Sequence, residues 1–364
     1  IPFIVLLTVV VFIHEYGHYY FAKRFGVGIT DFSIGFGKEI FGFKDKSGTR
    51  WKFCAIPLGG YVKFFGDRNV FSQAEQKELL NQYSKEDQNK LFVTKPVYQR
   101  SLVVAAGPLA NFVLAILIFT FIYMFAGKDF TPAQIQEVQK DSPAFVSGIK
   151  KGDVILSINK NKVSSILEVS NYINTSTLDN IGIKVLRNSE EIIFLVKPKT
   201  IKAEDSLGNK VNKKVIGVKI APLNNEFNRE RLGPATALFY AVKETWFVIK
   251  ASLDFVGSMF KGKGDTTQLG GPIKIAKITG QVTQHGLIAF LSIMAYISIS
   301  LGFINLLPIP MLDGGHLMFY AFEKILGKPL NQKTQEGFFR IGLFLLLSLM
   351  FFTTFNDLKD LGLF

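Results

Sequence analysis

The reading of this chain turns on one stretch near its amino terminus, His14-Glu15-Tyr16-Gly17-His18, which lies inside an apolar segment running from residue 1 to 25. On a helix, residues four apart share a face, so His14 and His18 can hold one metal ion. Glu15 stands beside them, placed to take a proton from a water that a metal activates. A single His in a helix is ordinarily a hydrogen-bonded core residue. The complete H-E-x-x-H pattern, in a chain with only 4 His, outweighs that reading. Ionisable groups at bilayer depth are costly and mark sites.

The composition supports a membrane setting. The 364 residues are 48% hydrophobic and include 36 Phe, and the mean hydropathy is +0.25. This is too apolar for an ordinary soluble protein and too charged for membrane span throughout, and the length allows two or three domains. The net charge of +13 raises the question of nucleic acid. The basic residues are spread over loops, with no basic recognition helix, so no nucleic-acid partner is expected and the lipid bilayer is the simpler one. Cys54 is the single cysteine and excludes an intrachain disulfide framework.

Read in order, residues 1–25 are a first transmembrane helix, just long enough to cross a bilayer. Residues 26–66 are rich in Gly and aromatic side chains. Their alternating runs, 30–36 and 51–56 with a turn at 44–48, predict an apolar β-hairpin sheet lying against or re-entering the membrane. Residues 67–100 are polar and predict a cytoplasmic loop. Residues 101–125 are a second span, entered through Gly107-Pro108, with Asn111 at membrane depth as a structural hydrogen-bonder or a neighbour of the metal site. Residues 126–221 form a separate unit, with a strand over 138–145, a helix over 167–173 and strands over 182–187 and 192–197. Its Ser142-Pro143-Ala144 and Gly148-Ile149-Lys150-Lys151-Gly152-Asp153-Val154-Ile155 resemble a PDZ domain, which binds extended peptides by strand addition.

Residues 222–285 carry apolar residues at helical spacing, broken by Lys243, Glu244, Lys250 and Asp254. They predict an amphipathic membrane-surface region. Residues 286–316 are the third span, 317–336 a cytoplasmic connection, and 337–364 the fourth span with a tail. The fold class is therefore a multi-span α-helical membrane protein of four transmembrane helices, with a membrane-associated β-hairpin sheet and an inserted α+β PDZ-like domain. The loop over 23–100 holds 14 Lys/Arg against 8 Asp/Glu. The positive-inside tendency puts it in the cytoplasm and the PDZ-like unit outside.

Two His make half a metal site, since a catalytic zinc takes three protein ligands. The missing one is sought in Asn305-Leu306-Leu307-Pro308-Ile309-Pro310-Met311-Leu312-Asp313-Gly314-Gly315-His316. Two prolines break the helix here, and Asp313 and His316 sit at the depth of His14 and His18. By chemistry alone either of them serves.

These motifs, together with Gly35-Phe36-Gly37, Pro57-Leu58-Gly59-Gly60-Tyr61-Val62, Gly107-Pro108-Leu109-Ala110-Asn111 and Gly271-Pro272-Ile273, resemble the site-2 family of intramembrane zinc metalloproteases, in its bacterial regulator-of-sigma-E-protease branch. The resemblance covers nearly the whole chain. It implies Zn2+ held by His14, His18 and Asp313, with Glu15 as general base. It also implies substrate-backbone contacts at Asn305, the re-entrant sheet with Gly35, Phe36 and Gly37, and the broken helix with Pro308 and Pro310. Where some relatives carry a second Asn, this chain has Ser300, and it has room for one PDZ-like domain rather than two.

The substrates implied are single-span membrane proteins, such as anti-sigma factors or remnant signal peptides cut in regulated intramembrane proteolysis. The PDZ-like domain would contact the substrate's ectodomain or C-terminus. The location implied is the bacterial inner membrane, with the active site near the cytoplasmic side. Two other classes compete: a catalytically inactive PDZ-bearing scaffold with a structural zinc, in which His316 supplies a fourth ligand, and a zinc-dependent transporter. Glu15 argues against the first, and the lack of an inverted repeat against the second.

Overall fold

The computed structural model describes residues 1–66, 83–176, 178–204, 210–262 and 269–360. Its elements, in chain order, are α1 (Pro2–Arg24), β1 (Ile29–Lys44), β2 (Arg50–Phe64), α2 (Lys85–Gln88), α3 (Val97–Phe125), β3 (Lys128–Asp129), β4 (Ala133–Val138), α4 (Pro143–Val146), β5 (Val154–Ile158), β6 (Asn161–Lys162) and α5 (Ile166–Thr175). Then follow β7 (Ile181–Arg187), β8 (Glu190–Val196), β9 (Lys199–Glu204), β10 (Lys210–Val215), β11 (Val218–Pro222), β12 (Arg229–Glu230), α6 (Pro234–Phe260), α7 (Pro272–Thr283), α8 (Leu287–Leu306), α9 (Asp313–Leu326) and α10 (Gln332–Asp360). The chain forms two compact units, one of residues 1–118 and 272–354, the other of 119–271 and 355–364.

Among the described residues, four helices are long and apolar enough to cross a membrane: α1, α3, α8 and the 333–359 part of α10. The surface of α3 fits that role. Leu109, Val113, Leu117 and Phe121 recur every fourth residue and are about half exposed, a continuous apolar stripe that water would penalise. Pro2 sits in the first turn of α1, where its missing N–H costs nothing, and Lys23 and Arg24 close the helix at its negative end.

The β1–β2 sheet is more folded than a plain hairpin. Phe32 pairs with Val62 on one side and with Trp51 on the other, and Ile34 pairs with both Gly60 and Phe53. Phe41, Phe43 and Lys44 pair with Phe53, Trp51 and Arg50 across the turn. Two long strands thus make four lanes, ordered 41–44, 50–53, 31–34 and 60–64. The reversal of β1 between its two lanes falls at Gly35 and Gly37, with φ of +87° and +84°. A Cβ on Gly35 would stand 2.7 Å from the carbonyl oxygen of Ile56, so both the conformation and the close approach require glycine.

The turn at 45–49 is tied to α1. Tyr19 donates to Asp45 at 2.8 Å, Trp51 Nε1 donates to the same carboxylate at 3.3 Å, and Lys23 lies 3.6 Å from it. Burial pushes the Asp45 carboxyl up, but hydrogen bonds from Ser47, Tyr19 and Trp51 outweigh it and hold the group well below the usual carboxylate range.

An ion pair between buried Arg100 and partly buried Glu323 fastens α3 to α9. Arg100 donates to Glu323 at 2.5 and 3.1 Å and to the Lys95 carbonyl at 2.9 Å, and its guanidinium stacks 4.9 Å from the Tyr320 ring centre. Arg100→Met should cost about 2–4 kcal/mol of stability by leaving the partly buried Glu323 without its partner. Arg100→Met with Glu323→Met should recover most of that. Denaturant unfolding in detergent measures both, and a single variant as stable as the parent would show that the pair is idle.

Several expected boundaries shift. The third span ends at Leu306, because Pro308 and Pro310 cannot continue a helix, and a new helix, α9, begins at Asp313. Residues 317–326 are therefore helix rather than connection. Gly314 abuts the carbonyls of Leu306 and Leu307, which lets α9 start against the end of α8. The second span begins at Val97 rather than 101. Of the expected loop over 67–100, residues 67–82 lie outside the described residues.

In the other unit, β11, β4, β5, β7 and β8 form a sheet in that order, with β6 paired to β5. Ile181, Ile183 and Val185 alternate into its core with Ile135, Ile158 and Val169, all fully buried. The strand expected over 138–145 is instead β4, ending at Val138, followed by the one-turn α4. Ser142 caps that turn by accepting from the Phe145 N–H at 3.2 Å, and Pro143 opens it. The β9–β10 ribbon has too weak an alternation to be seen in the sequence. Among the described residues of 222–285 there are two separate long helices, α6 and α7. Exposed Phe239, Trp246 and Phe260 on α6 share that helix with its charged residues, so α6 is not among the four apolar helices.

Candidate metal centre

His14 and His18 lie on one face of α1, with Nε2 atoms 3.3 Å apart. Asp313, the first residue of α9, brings Oδ2 to 3.2 Å from His14 Nε2 and 3.5 Å from His18 Nε2. Despite these distances, the buried Asp313 Oδ2 makes no hydrogen bond. The three atoms converge on a common centre. Zinc bonds of about 2.0–2.1 Å give a tetrahedron with edges of about 3.3 Å, which matches all three separations. Two imidazoles and a carboxylate are an ordinary zinc donor set, so the residues present fit the ion.

The imidazoles are set from α3. His18 Nδ1 lies 2.9 Å from the carbonyl oxygen of Val103, which can only accept, so Nδ1 carries the proton and Nε2 presents its lone pair. Gly107, one turn on, leaves room for both rings. A Cβ there would land on Nε2 and Cε1 of His18 and 3.0 Å from His14 Cε1. Asn111, a further turn on, is fully buried beside His14 Nδ1.

Glu15 lines the same cavity of about 390 Å³, which also takes in Phe36, residues 59–64, Asn305, Met311 and His316. The backbone N–H of Val62 donates to the Glu15 carboxylate. A Cβ on Gly60 would stand 3.0 Å from Glu15 Cγ, so glycine lets the sheet approach this side chain.

The other expected site residues divide. Phe36 and Asn305 line the cavity, whereas Gly35, Gly37, Pro308 and Pro310 are not among its walls. Gly35 and Gly37 make the bend from which Phe36 projects, and the prolines shape the 307–312 loop that precedes Asp313. His316 is in the cavity wall with its ring 5.5 Å from that of Phe339, but it is not one of the three converging donors. Ser300 turns its hydroxyl back to the Tyr296 carbonyl at 3.0 Å.

Sequence reasoning missed Gly107 as a neighbour of both imidazoles, the Val103 carbonyl, and Met311, whose φ of +86° is the strained step before α9. One signal for the first two was available. Val103, Gly107 and Asn111 recur every four residues, as do His14 and His18.

Residues 2–349 match the model of peptidase family M50. A protein of Agrobacterium fabrum named "Putative zinc metalloprotease" is 40% identical over 361 residues, covering 99% of this chain and 96% of its own. "Metalloprotease MmpA" of Caulobacter vibrioides is 36% identical over 380 residues, covering 99% of this chain and 95% of its own. Among solved structures, the PDZ domain of an SdrC-like protein from Listeria monocytogenes is similar over 25% of this chain and 88% of that one, at 22% identity and a TM-score of 0.20. The match over nearly the whole length carries the assignment: the chain belongs to peptidase family M50, the family of the site-2 zinc metalloproteases.

Proposed function

We propose that the protein is an intramembrane zinc endopeptidase that cuts a peptide bond within the transmembrane segment of single-span membrane proteins. The observation that carries this reading is the convergence of His14 Nε2, His18 Nε2 and Asp313 Oδ2 beside Glu15, on a helix apolar enough to span a bilayer. Those three residues would hold the ion. A structural zinc is closed by four protein ligands, whereas three converge here among the described residues, which leaves the open position of a catalytic site.

A bound zinc supplies Lewis acidity, which makes water a nucleophile near neutral pH and polarises the scissile carbonyl. Glu15 takes the proton of the attacking water as the carbon–oxygen bond forms, and delivers it to the amide nitrogen as the carbon–nitrogen bond breaks. The Val62 N–H keeps the carboxylate turned towards the cavity. Asn305 donates from its amide to the substrate backbone.

A transmembrane helix hides its peptide bonds, so the substrate must unwind before attack. The 60–64 lane pairs on one side with 31–34 and carries no further strand among the described residues, so it offers backbone partners for an unwound segment. Phe36 packs against the substrate's side chains there. Gly35, Gly37, Pro308 and Pro310 then act through the sheet bend and loop they shape.

The setting is the bacterial inner membrane, with the centre near the cytoplasmic side, α6 on the membrane surface and the PDZ-like unit outside. That unit screens substrate ectodomains or termini. Substrates of the anti-sigma-factor or remnant-signal-peptide type, in regulated intramembrane proteolysis, suit this arrangement.

The test is purified protein in liposomes with a single-span reporter. New termini should map by mass spectrometry inside the span, vanish with a chelator and return with zinc. Cleavage confined to the soluble parts would sink the proposal. Asp313→Ala should take the zinc content from about one per chain to near zero, and His316→Ala should leave it intact. The reverse outcome would move the third ligand to His316.

A further inference from the structure

His18 and His14 meet different partners on α3. The Val103 carbonyl settles the tautomer of His18. At His14, the structure places Asn111 Nδ2 3.3 Å from Nδ1 and leaves the buried Asn111 Oδ1 without any hydrogen-bond partner. An amide NH2 donating to Nδ1 would force the proton of neutral His14 onto Nε2. That is the atom aimed at His18 Nε2 and Asp313 Oδ2, and a proton there would remove its lone pair from the centre.

Turning the amide by half a turn about its last bond exchanges two atoms of nearly equal size and keeps the heavy-atom geometry. We propose that Asn111 is a positioning residue in this turned orientation: Oδ1 accepts from His14 Nδ1–H and thereby frees Nε2 for the metal. The exchange pairs the carbonyl with the imidazole N–H and moves the NH2 to the position where Oδ1 had no partner, so the tautomer His14 needs, rather than a gain in paired atoms, selects it. It also gives the two imidazoles the same tautomer, each held by an oxygen from α3 two helical turns apart.

The residue is held firmly enough for this role. Asn111 and Ser298 are both fully buried, and the Ser298 hydroxyl donates to the Asn111 backbone carbonyl at 2.8 Å. That bond ties this turn of α3 to α8. An orienting acceptor behind a ligating imidazole also raises its basicity, and losing one typically costs about 10–100-fold in metal affinity.

The inference rests on the metal-centre reading, and the experiment separates their failures. Zinc affinity is measured by chelator competition in detergent for the wild type, Asn111→Asp and Asn111→Leu, with melting curves of the zinc-free forms. A wild type that binds no zinc would fail the metal-centre reading itself. With zinc bound by the wild type, Asp, an acceptor without an NH2, should stay within about three-fold, while Leu, of similar size without an acceptor, should lose about 10–100-fold. Equal losses in both variants, or wild-type affinity in Leu, would overturn the role.

A measurement without substitution guards against misfolding. In zinc-loaded protein labelled with 15N-histidine, two imidazoles should be bound through Nε2 and protonated at Nδ1. One such imidazole instead of two would mean that the amide donates to His14.

Discussion

Glu15→Gln is expected to keep its zinc and to cut a single-span reporter about 10²–10⁴-fold more slowly than the parent. Glutamine has nearly the shape of glutamate and still accepts from the Val62 N–H, so the sheet and α1 stay in register. What it loses is the capacity to take a proton from water and return it to the leaving amine. His14, His18 and Asp313 are untouched, and their separations do not depend on the charge of residue 15 for their geometry. Rate per bound zinc, with zinc measured on the same sample, is the required quantity. A variant that cuts at the parental rate would remove Glu15 from the chemistry, and one that loses zinc would make it a structural anion.

Gly107→Ala is expected to empty the centre through a single methyl group. The added carbon has no free volume, because it falls on the imidazole of His18 and 3.0 Å from that of His14. Overpacking of this kind costs about 1–3 kcal/mol. Since the rings are the softest neighbours, that cost appears in the metal site, where about 1.4 kcal/mol is a tenfold loss. Zinc affinity should fall about 10–100-fold, with cleavage falling in parallel at limiting metal. Gly280→Ala in α7 is the control, since its new methyl group meets nothing within 4 Å. It should bind zinc normally and melt no lower, because alanine is the better helix former. Normal zinc affinity in Gly107→Ala would mean that α1 and α3 can part freely, and the rigid stripe of Val103, Gly107 and Asn111 would lose its significance.

These expectations draw on different amounts of sequence information. The pair His14 and His18, with Glu15 beside them, was legible because a helical face is a local property. The four apolar helices were legible for the same reason, since hydropathy over about 20 residues needs no knowledge of neighbours. The turn after Lys44 and the break at Pro308 and Pro310 follow from backbone preferences of the residues at those positions. Long-range pairing was not legible. Nothing local in residues 29–64 says that Arg50–Phe53 inserts between two lanes of the same strand, because pairing energy is shared among segments that the sequence does not rank.

The same division runs through the centre. The sequence by itself determined an H-E-x-x-H pattern, its two histidines on one face of a helix apolar enough to span a bilayer, and a second stretch of suitable donors about 300 residues later. Only the tertiary structure decided which of those donors converges with the histidines. Asp313 and His316 are three residues apart on α9 and so share a face. The start of α9 against the end of α8, set by a proline-broken loop and the close fit of Gly314, carries Asp313 to the two Nε2 atoms and leaves His316 against Phe339. Tertiary structure likewise turned Asn111 from a polar residue at membrane depth into the partner of His14. A hydrogen bond between helices depends on their rotation and spacing, which packing sets and no single helix encodes.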